Sequence, residues 1–244
     1  MKISLHRVGI GSIIALAFLV LSTISAGPCR AAIAGGHVDD FNDGTIQGWR
    51  IGFGGDYPQN AADVGPLGAG DHSLYMATSG AGGTAPRLLV FNDTAADNGN
   101  WEGNWTAAGV DRIEMDVLNP NTFALQMRLG IAGPGGVFGG GGGDTYFTDA
   151  IEVASTSGIW QHIVFPARAA DFQPAGGSPD DLAAALAEVT HFRILHNPSP
   201  DFVGESIGGR FYLDNIRLVV PEPASWLFMT GLFLFAWVLV RSRV

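Results

Sequence analysis

The chain reads as an all-β protein built as an antiparallel β-sandwich, and three observations predict it. Gly, Asn, Asp and Pro interrupt the middle of the sequence at intervals of about ten residues, the punctuation of short strands joined by tight turns. The runs between these breaks are rich in β-branched and aromatic residues. Several runs alternate apolar and polar positions, the period-two pattern of a strand with one buried face.

Candidate strands are Trp49–Phe53, Ser73–Thr78, Arg87–Asn92, Arg112–Leu118, Phe123–Ile131, Thr145–Ile151, Trp160–Pro166, His191–His196 and Phe211–Val219. In Arg112–Leu118 the residues Ile113, Met115 and Val117 share a face. In the next strand Leu125, Met127, Leu129 and Ile131 do the same. Phe211, Leu213, Ile216 and Leu218 break strict alternation, which predicts a bulge near Asp214–Asn215. One short helix is expected over Pro179–Glu188. Ser178 suits its N-cap, Pro179 its first position, and Asp180 and Asp181 its dipole. Gly133–Gly143 is nearly all glycine. It lacks the strand-to-helix setting and the lysine of a phosphate loop, so it is assigned as a hairpin tip.

The two ends of the 244-residue chain are read separately from this body. Lys2, His6 and Arg7 precede an apolar run from Val8 to about Leu21, followed by small residues. This is the pattern of a secretory signal, with cleavage expected after Ala34 in Ala32-Ile33-Ala34. Pro28 before Cys29 argues against a lipoprotein, and the run is short for an uncleaved span. At the other end, Ala224–Val240 carries no charge and is followed by Arg241 and Arg243. At about 1.5 Å per residue this stretch is near the lower limit for crossing a bilayer. The arginines place its C-terminus in the cytoplasm and the body outside. The organisation is therefore a signal peptide at 1–34, a sandwich domain at 35–219 and a sorting tail at 220–244.

Val220, Pro221, Glu222 and Pro223, the span after them and the terminal Arg241 and Arg243 occur in the order of a PEP-CTERM sorting signal, which this tail resembles. The resemblance implies a partner, an exosortase (a membrane-embedded cysteine transpeptidase), that cuts near the motif. It implies a transient stay in the inner membrane through residues 224–240, followed by release to the envelope or matrix. Two prolines bias the segment to extended backbone, which suits a protease substrate.

Residues 35–220 contain no lysine, eight arginines and twenty-two Asp or Glu, a formal charge of −14. Such a body repels nucleic acid and other polyanions, so no nucleic-acid partner is expected. It suits a divalent cation or a neutral glycan such as an exopolysaccharide. After cleavage no cysteine remains, so stability rests on the core or on a metal. No Gly-x-Ser-x-Gly elbow, His-x-x-x-His pair or cysteine metal pattern is present, and no catalytic residue is assigned. Trp101 and Trp105 lie in a polar, glycine-rich stretch and are candidate platforms for sugar stacking. The alternative is that they plug the sandwich edge.

Asp39–Thr45 clusters hard oxygen ligands without the spacing of an EF-hand, a candidate structural calcium site. The opening run Phe41–Trp49, the run Gly158–Pro166 and the closing run Phe211–Leu218 resemble strands of jelly-roll carbohydrate-binding modules. That resemblance implies that the first and last strands are neighbours, with calcium held between them by Asp40 and Asp214. Asp43 is the further candidate ligand. The leading functional expectation is an exported, non-enzymatic surface or matrix protein, the alternative a glycan-binding module, and the third a polysaccharide hydrolase.

Overall fold

The computed structural model describes residues 33, 35–51, 58–80, 87–93, 101–136, 144–156, 158–176 and 181–220. The signal peptide before Ile33, the sorting motif from Pro221, the span 224–240, Arg241 and Arg243 lie outside them, as do Ser178, Pro179 and Asp180. Among the described residues no helix is long and apolar enough to cross a membrane.

Two antiparallel six-stranded sheets pack face to face. The first contains β1 (Val38–Asp39), β2 (Gln59–Ala61), β3 (Ser73–Ser79), β5 (Arg112–Leu118), β9 (Trp160–Pro166) and β12 (Gly208–Val219). Its order is β2-β3-β12-β5-β9, with β1 also pairing to β12. The second contains β4 (Leu89–Asp93), β6 (Leu125–Ala132), β7 (Thr145–Thr148), β8 (Ile151–Val153), β10 (Phe172–Pro174) and β11 (His191–His196). Its order is β10-β7-β6-β11-β4, with β8 on β6. The first and last strands are neighbours, with Asp39 opposite Ile216.

Alternation decides which face each strand buries. Ile113, Met115 and Val117 of β5 meet Leu74 and Met76 of β3 and Phe211 and Leu213 of β12 in one core. Leu125, Met127, Leu129 and Ile131 of β6 fill it from the other sheet. The bulge falls where the sequence placed it, as a register shift between Asp214 and Arg217. Asn215 has φ 50° there, a left-handed conformation that Asn tolerates better than most residues. The extra residue returns Ile216 and Leu218 to the core.

Four local expectations need correction. Thr145–Ile151 is not one strand: β7 and β8 pair with different halves of β6. The Thr148 hydroxyl takes the Leu129 N–H that a ladder carbonyl would otherwise accept, and the backbone steps out at Asp149–Ala150. The expected strand Trp49–Phe53 is not regular over its described residues, where Arg50 alone bridges, to Phe91; Gly52 and Phe53 lie outside them. The later helix is shorter than expected. It spans Leu182–Ala187 (α2), and the Asp181 carboxylate, rather than Ser178, caps it by accepting from Ala184 N at 3.0 Å. A second helix, Trp105–Ala108 (α1), was not anticipated; Asn104 caps it, with Oδ1 accepting from Ala107 N at 2.7 Å.

Candidate functional site

Trp101 and Trp105 are not surface platforms. Both are buried, at 0% and 1% exposure. The Asn104 cap starts α1 so that Trp105 turns inward, and its Nε1 donates to the Trp101 carbonyl. Trp49, Trp101 and Trp105 ring Phe192 at centroid distances of 5.7, 5.0 and 5.6 Å. Asp39 holds the group together. Its Oδ2 accepts from Trp49 Nε1 and from Trp101 Nε1, each at 2.7 Å, while Oδ1 lies 2.9 Å from His37 Nε2. A buried carboxylate with two indole donors is a satisfied structural group. The alternative reading of these tryptophans, as plugs of the sandwich, is the one the geometry bears out.

The outer face of the second sheet is covered by the chain's own residues 197–206. Phe202 sits in a notch at Gly130, where an added Cβ would stand 2.9 Å from its ring. The Arg193 guanidinium lies 4.1 Å from the Phe202 centroid; burial holds its pKa down to about 10. Arg128 donates to the carbonyls of Asn197 and Thr148 at 3.0 and 2.8 Å.

The outer face of the first sheet is different. Pairing places Gln59, Tyr75, Tyr212, Leu118 and Trp160 in one row across β2, β3, β12, β5 and β9. Tyr75, Tyr212 and Trp160 are half-buried, and Gln59 is exposed. Tyr75 stacks on Tyr212 at 4.6 Å, and Trp160 stands edge-on to Tyr212 at 6.5 Å. Cross-strand ring pairs of this kind stabilise a sheet and leave apolar ring surface at the solvent boundary. Trp160 Nε1 donates to the Val64 carbonyl at 3.2 Å. Val64 lies in the β2–β3 connection, so residues 62–72 cross the sheet from one edge toward the other.

Beside this row, two residues along each strand, lie Asp214, Asp116 and His162. Asp116 binds His162 Nδ1 (2.9 Å) through Oδ1 and accepts from Asn215 Nδ2 (2.9 Å) through Oδ2. Asp214 is 1% exposed. Burial, then the negative charges of Asp71, Asp116 and Asp40, push its pKa up to about 7, against the Asn215 N–H that favours the ionised form. The register pairing Leu213 with Leu74 sets Ser73 next to Asp214, and the buried Ser73 Oγ has no hydrogen-bond partner among the described residues. Asp40 follows β1, which pairs with the strand that carries Asp214, and its charge is felt at Asp214 together with those of Asp71 and Asp116; sequence reasoning missed the last two. Asp43 does not join them: it is fully committed to its own turn, accepting from Thr45 N at 2.8 Å and Thr45 Oγ1 at 2.9 Å. Those bonds lower its pKa. Among the described residues no group of three or more His, Cys, Asp or Glu side chains is placed to hold a metal ion.

No protein-family model matches the chain, and no curated protein matches it. Among solved structures, it is similar to a family 11 carbohydrate-binding module from Clostridium thermocellum in complex with a β-1,3-1,4-mixed-linked tetrasaccharide. Identity is 18%, over 77% of this chain and 97% of that one, with a TM-score of 0.47. It is similar to an exo-β-agarase at 11% identity, over 78% of this chain and 25% of that one, with a TM-score of 0.50. It is also similar to the CBM22-2 xylan-binding domain of Paenibacillus barcinonensis Xyn10C at 13% identity, over 76% and 99%, with a TM-score of 0.45. At these identities the likeness concerns fold alone. The class defined by fold and face is an antiparallel β-sandwich whose first sheet carries a row of aromatic rings on its outer side.

Proposed function

We propose that the body is a non-catalytic glycan-binding module. The observation that carries this reading is the row Tyr75, Tyr212 and Trp160 across the outer face of the first sheet. Such rings take the apolar faces of sugars, and Gln59 at one end and His162 beside the other offer hydrogen bonds to hydroxyls. The fold shared with carbohydrate-binding modules supports the same reading. The neighbouring carboxylates Asp116 and Asp214 do not suit hydrolysis, because Asp214 is buried away from a polymer. The test is affinity electrophoresis of the full chain, in a polyoxyethylene detergent, through gels containing mixed-linked β-glucan, xylan or agar. Wild type is retarded by at least one polymer, and Tyr212→Ala and Trp160→Ala lose most of that retardation. Equal mobility of all three proteins in every gel overturns the reading.

The sorting tail gives the module its setting. In this proposal an exosortase cuts near Val220-Pro221-Glu222-Pro223, after the span 224–240 and Arg241 and Arg243 have held the body outside the inner membrane. Intact-mass measurement of the protein from exosortase-positive cells gives a chain lacking Arg241–Val244; retention of those residues in such cells sinks this part.

A structural calcium ion is the further part of the proposal. Asp214 and Asp40 would hold it, with the Ser73 Oγ beside Asp214 as a further oxygen donor and backbone carbonyls completing the shell, since hard oxygen ligands suit this cation. Bound calcium would supply the positive charge that this concentration of carboxylates lacks. Because a ligand of the folded state alone stabilises it, a chelator lowers Tm by several degrees and the drop disappears in Asp214→Asn. An unchanged Tm together with no metal by elemental analysis rejects the site.

A further inference from the structure

The ends of a domain are ordered only where something ties them down, and this body is tied down earlier than its small-residue pattern predicts. Ile33 is 5% exposed and belongs to the core that also holds Val110, Ile113 and Leu218. It stands two residues before Gly35, where the sandwich domain is expected to begin. Cleavage after Ala34 would leave Ile33 on the discarded peptide and remove a side chain from the core.

The residues that follow Ile33 fix this end of the chain. Gly36 N donates to the Leu218 carbonyl at 3.3 Å, and Leu218 N donates to the His37 carbonyl at 3.1 Å. Val38 and Asp39 then pair with Arg217 and Ile216. Gly36 makes the approach with φ 83°, a left-handed conformation that glycine adopts without strain. Gly35 lies against Val220, where a Cβ would stand 2.6 Å from the valine side chain. Residues 35–39 are thus held along the end of β12, and the fold recruits a side chain from the far side of the bond expected to be cut.

The bonds before Ile33 differ in how well they fit the small-x-small rule. Cutting after Ala32 puts the charged Arg30 at the third position before the bond, which the rule excludes. Cutting after Ala26 puts the bulkier Ile24 there. Cutting after Ala31 puts Cys29 there, small and uncharged, with Ala31 at the bond itself.

We propose that signal peptidase hydrolyses the Ala31–Ala32 bond, so that the mature protein starts Ala32-Ile33 and keeps Ile33 as a core residue. Water divides across that bond, leaving a carboxylate on Ala31 and an amino group on Ala32. Cys29 leaves with the signal peptide, so the mature body still contains no cysteine. The inference rests on the N-terminal signal directing export and is independent of the glycan reading.

N-terminal sequencing of the full chain recovered from the envelope of an exporting cell tests it. The expected sequence starts at Ala32. A chain starting at Gly35 or Gly27 overturns the proposal and leaves export standing; a chain starting at Met1 overturns both. Two substitutions separate the bonds. Ala31→Phe stops the cut and Ala34→Phe leaves it unchanged, while the reverse pattern returns the cut to Ala34 and overturns the proposal. Stability gives a readout independent of processing. Ile33→Ser lowers Tm by several degrees, as removal of a buried aliphatic side chain does, whereas Leu67→Ser, at a residue 87% exposed, leaves it unchanged. Equal Tm for wild type and both variants shows that the core does not use Ile33 and overturns the proposal.

Discussion

Asp39 shows how one side chain sets a whole neighbourhood. Replacing it with Ala leaves two buried indole N–H groups without an acceptor, at about 1–3 kcal/mol each. Asp39→Ala is expected to lower Tm by on the order of ten degrees, as followed by calorimetry, while Asp43→Ala, an exposed turn variant, stays close to wild type. Asp214 makes a prediction of opposite kind. Its folded-state pKa, about 7, lies above the ordinary carboxylate value of 3.8. The folded protein therefore keeps a proton that the unfolded chain releases, and stability falls as pH rises from about 4 to about 7. At about 1.4 kcal/mol per pH unit the total is a few kcal/mol at most. In chelator, Tm is higher at pH 5 than at pH 8, and Asp214→Asn removes most of the difference; a flat wild-type profile contradicts the assignment.

At the scale of elements, the long alternating strands were legible and the short ones were not. Arg112–Leu118, Trp160–Pro166 and His191–His196 match β5, β9 and β11 to the residue, because each carries inward apolar residues at period two: Ile113, Met115 and Val117; Ile163 and Phe165; Phe192 and Ile194. β1, β2 and β10 contain two or three residues each, too few for any period to declare itself. Trp101 and Trp105 were misread as platforms because their polar, glycine-rich surroundings resemble an exposed loop, whereas Asn104 folds that loop back under Asp39. The ring row was invisible for another reason. Tyr75, Tyr212 and Trp160 are remote in sequence and become neighbours only through the order β3-β12-β5-β9. The available signal was an aromatic residue at the outward position of an otherwise alternating strand. The 62–72 connection yields its own prediction: the Asp71 carboxylate accepts from Leu67 N at 2.7 Å and its carbonyl from Gly65 N at 3.0 Å, so Gly65→Ala, whose Cβ would meet that carboxylate, displaces Asp71 and lowers Tm by a few degrees, while Gly68→Ala disturbs only a positive-φ turn with open space around it. Equal effects of the two variants would argue against Asp71 as the staple.

For the whole molecule, net charge limits which polymers can approach it. A body carrying no lysine and a charge of −14 over residues 35–220 is repelled by anionic polymers. If sugar recognition rests on ring faces and neutral hydroxyls, raising the salt concentration from low to high changes affinity for the neutral polymer by less than about twofold, because little charge is there to screen. A steep loss with salt would point instead to ionic attraction and away from the ring row.

The distribution of tryptophan has an optical consequence. Six are present, and in the proposed processing the two in the tail, Trp226 and Trp237, would leave with it. Of the remaining four, Trp49, Trp101 and Trp105 are sealed in the core, where their emission is blue, steady and out of reach of dissolved quenchers. Trp160 alone is half open to solvent, at the end of the ring row. A body without the tail would thus carry a built-in reporter: acrylamide should quench about one tryptophan in four, a bound sugar should shield that one, and the other three supply an internal standard for the intact fold.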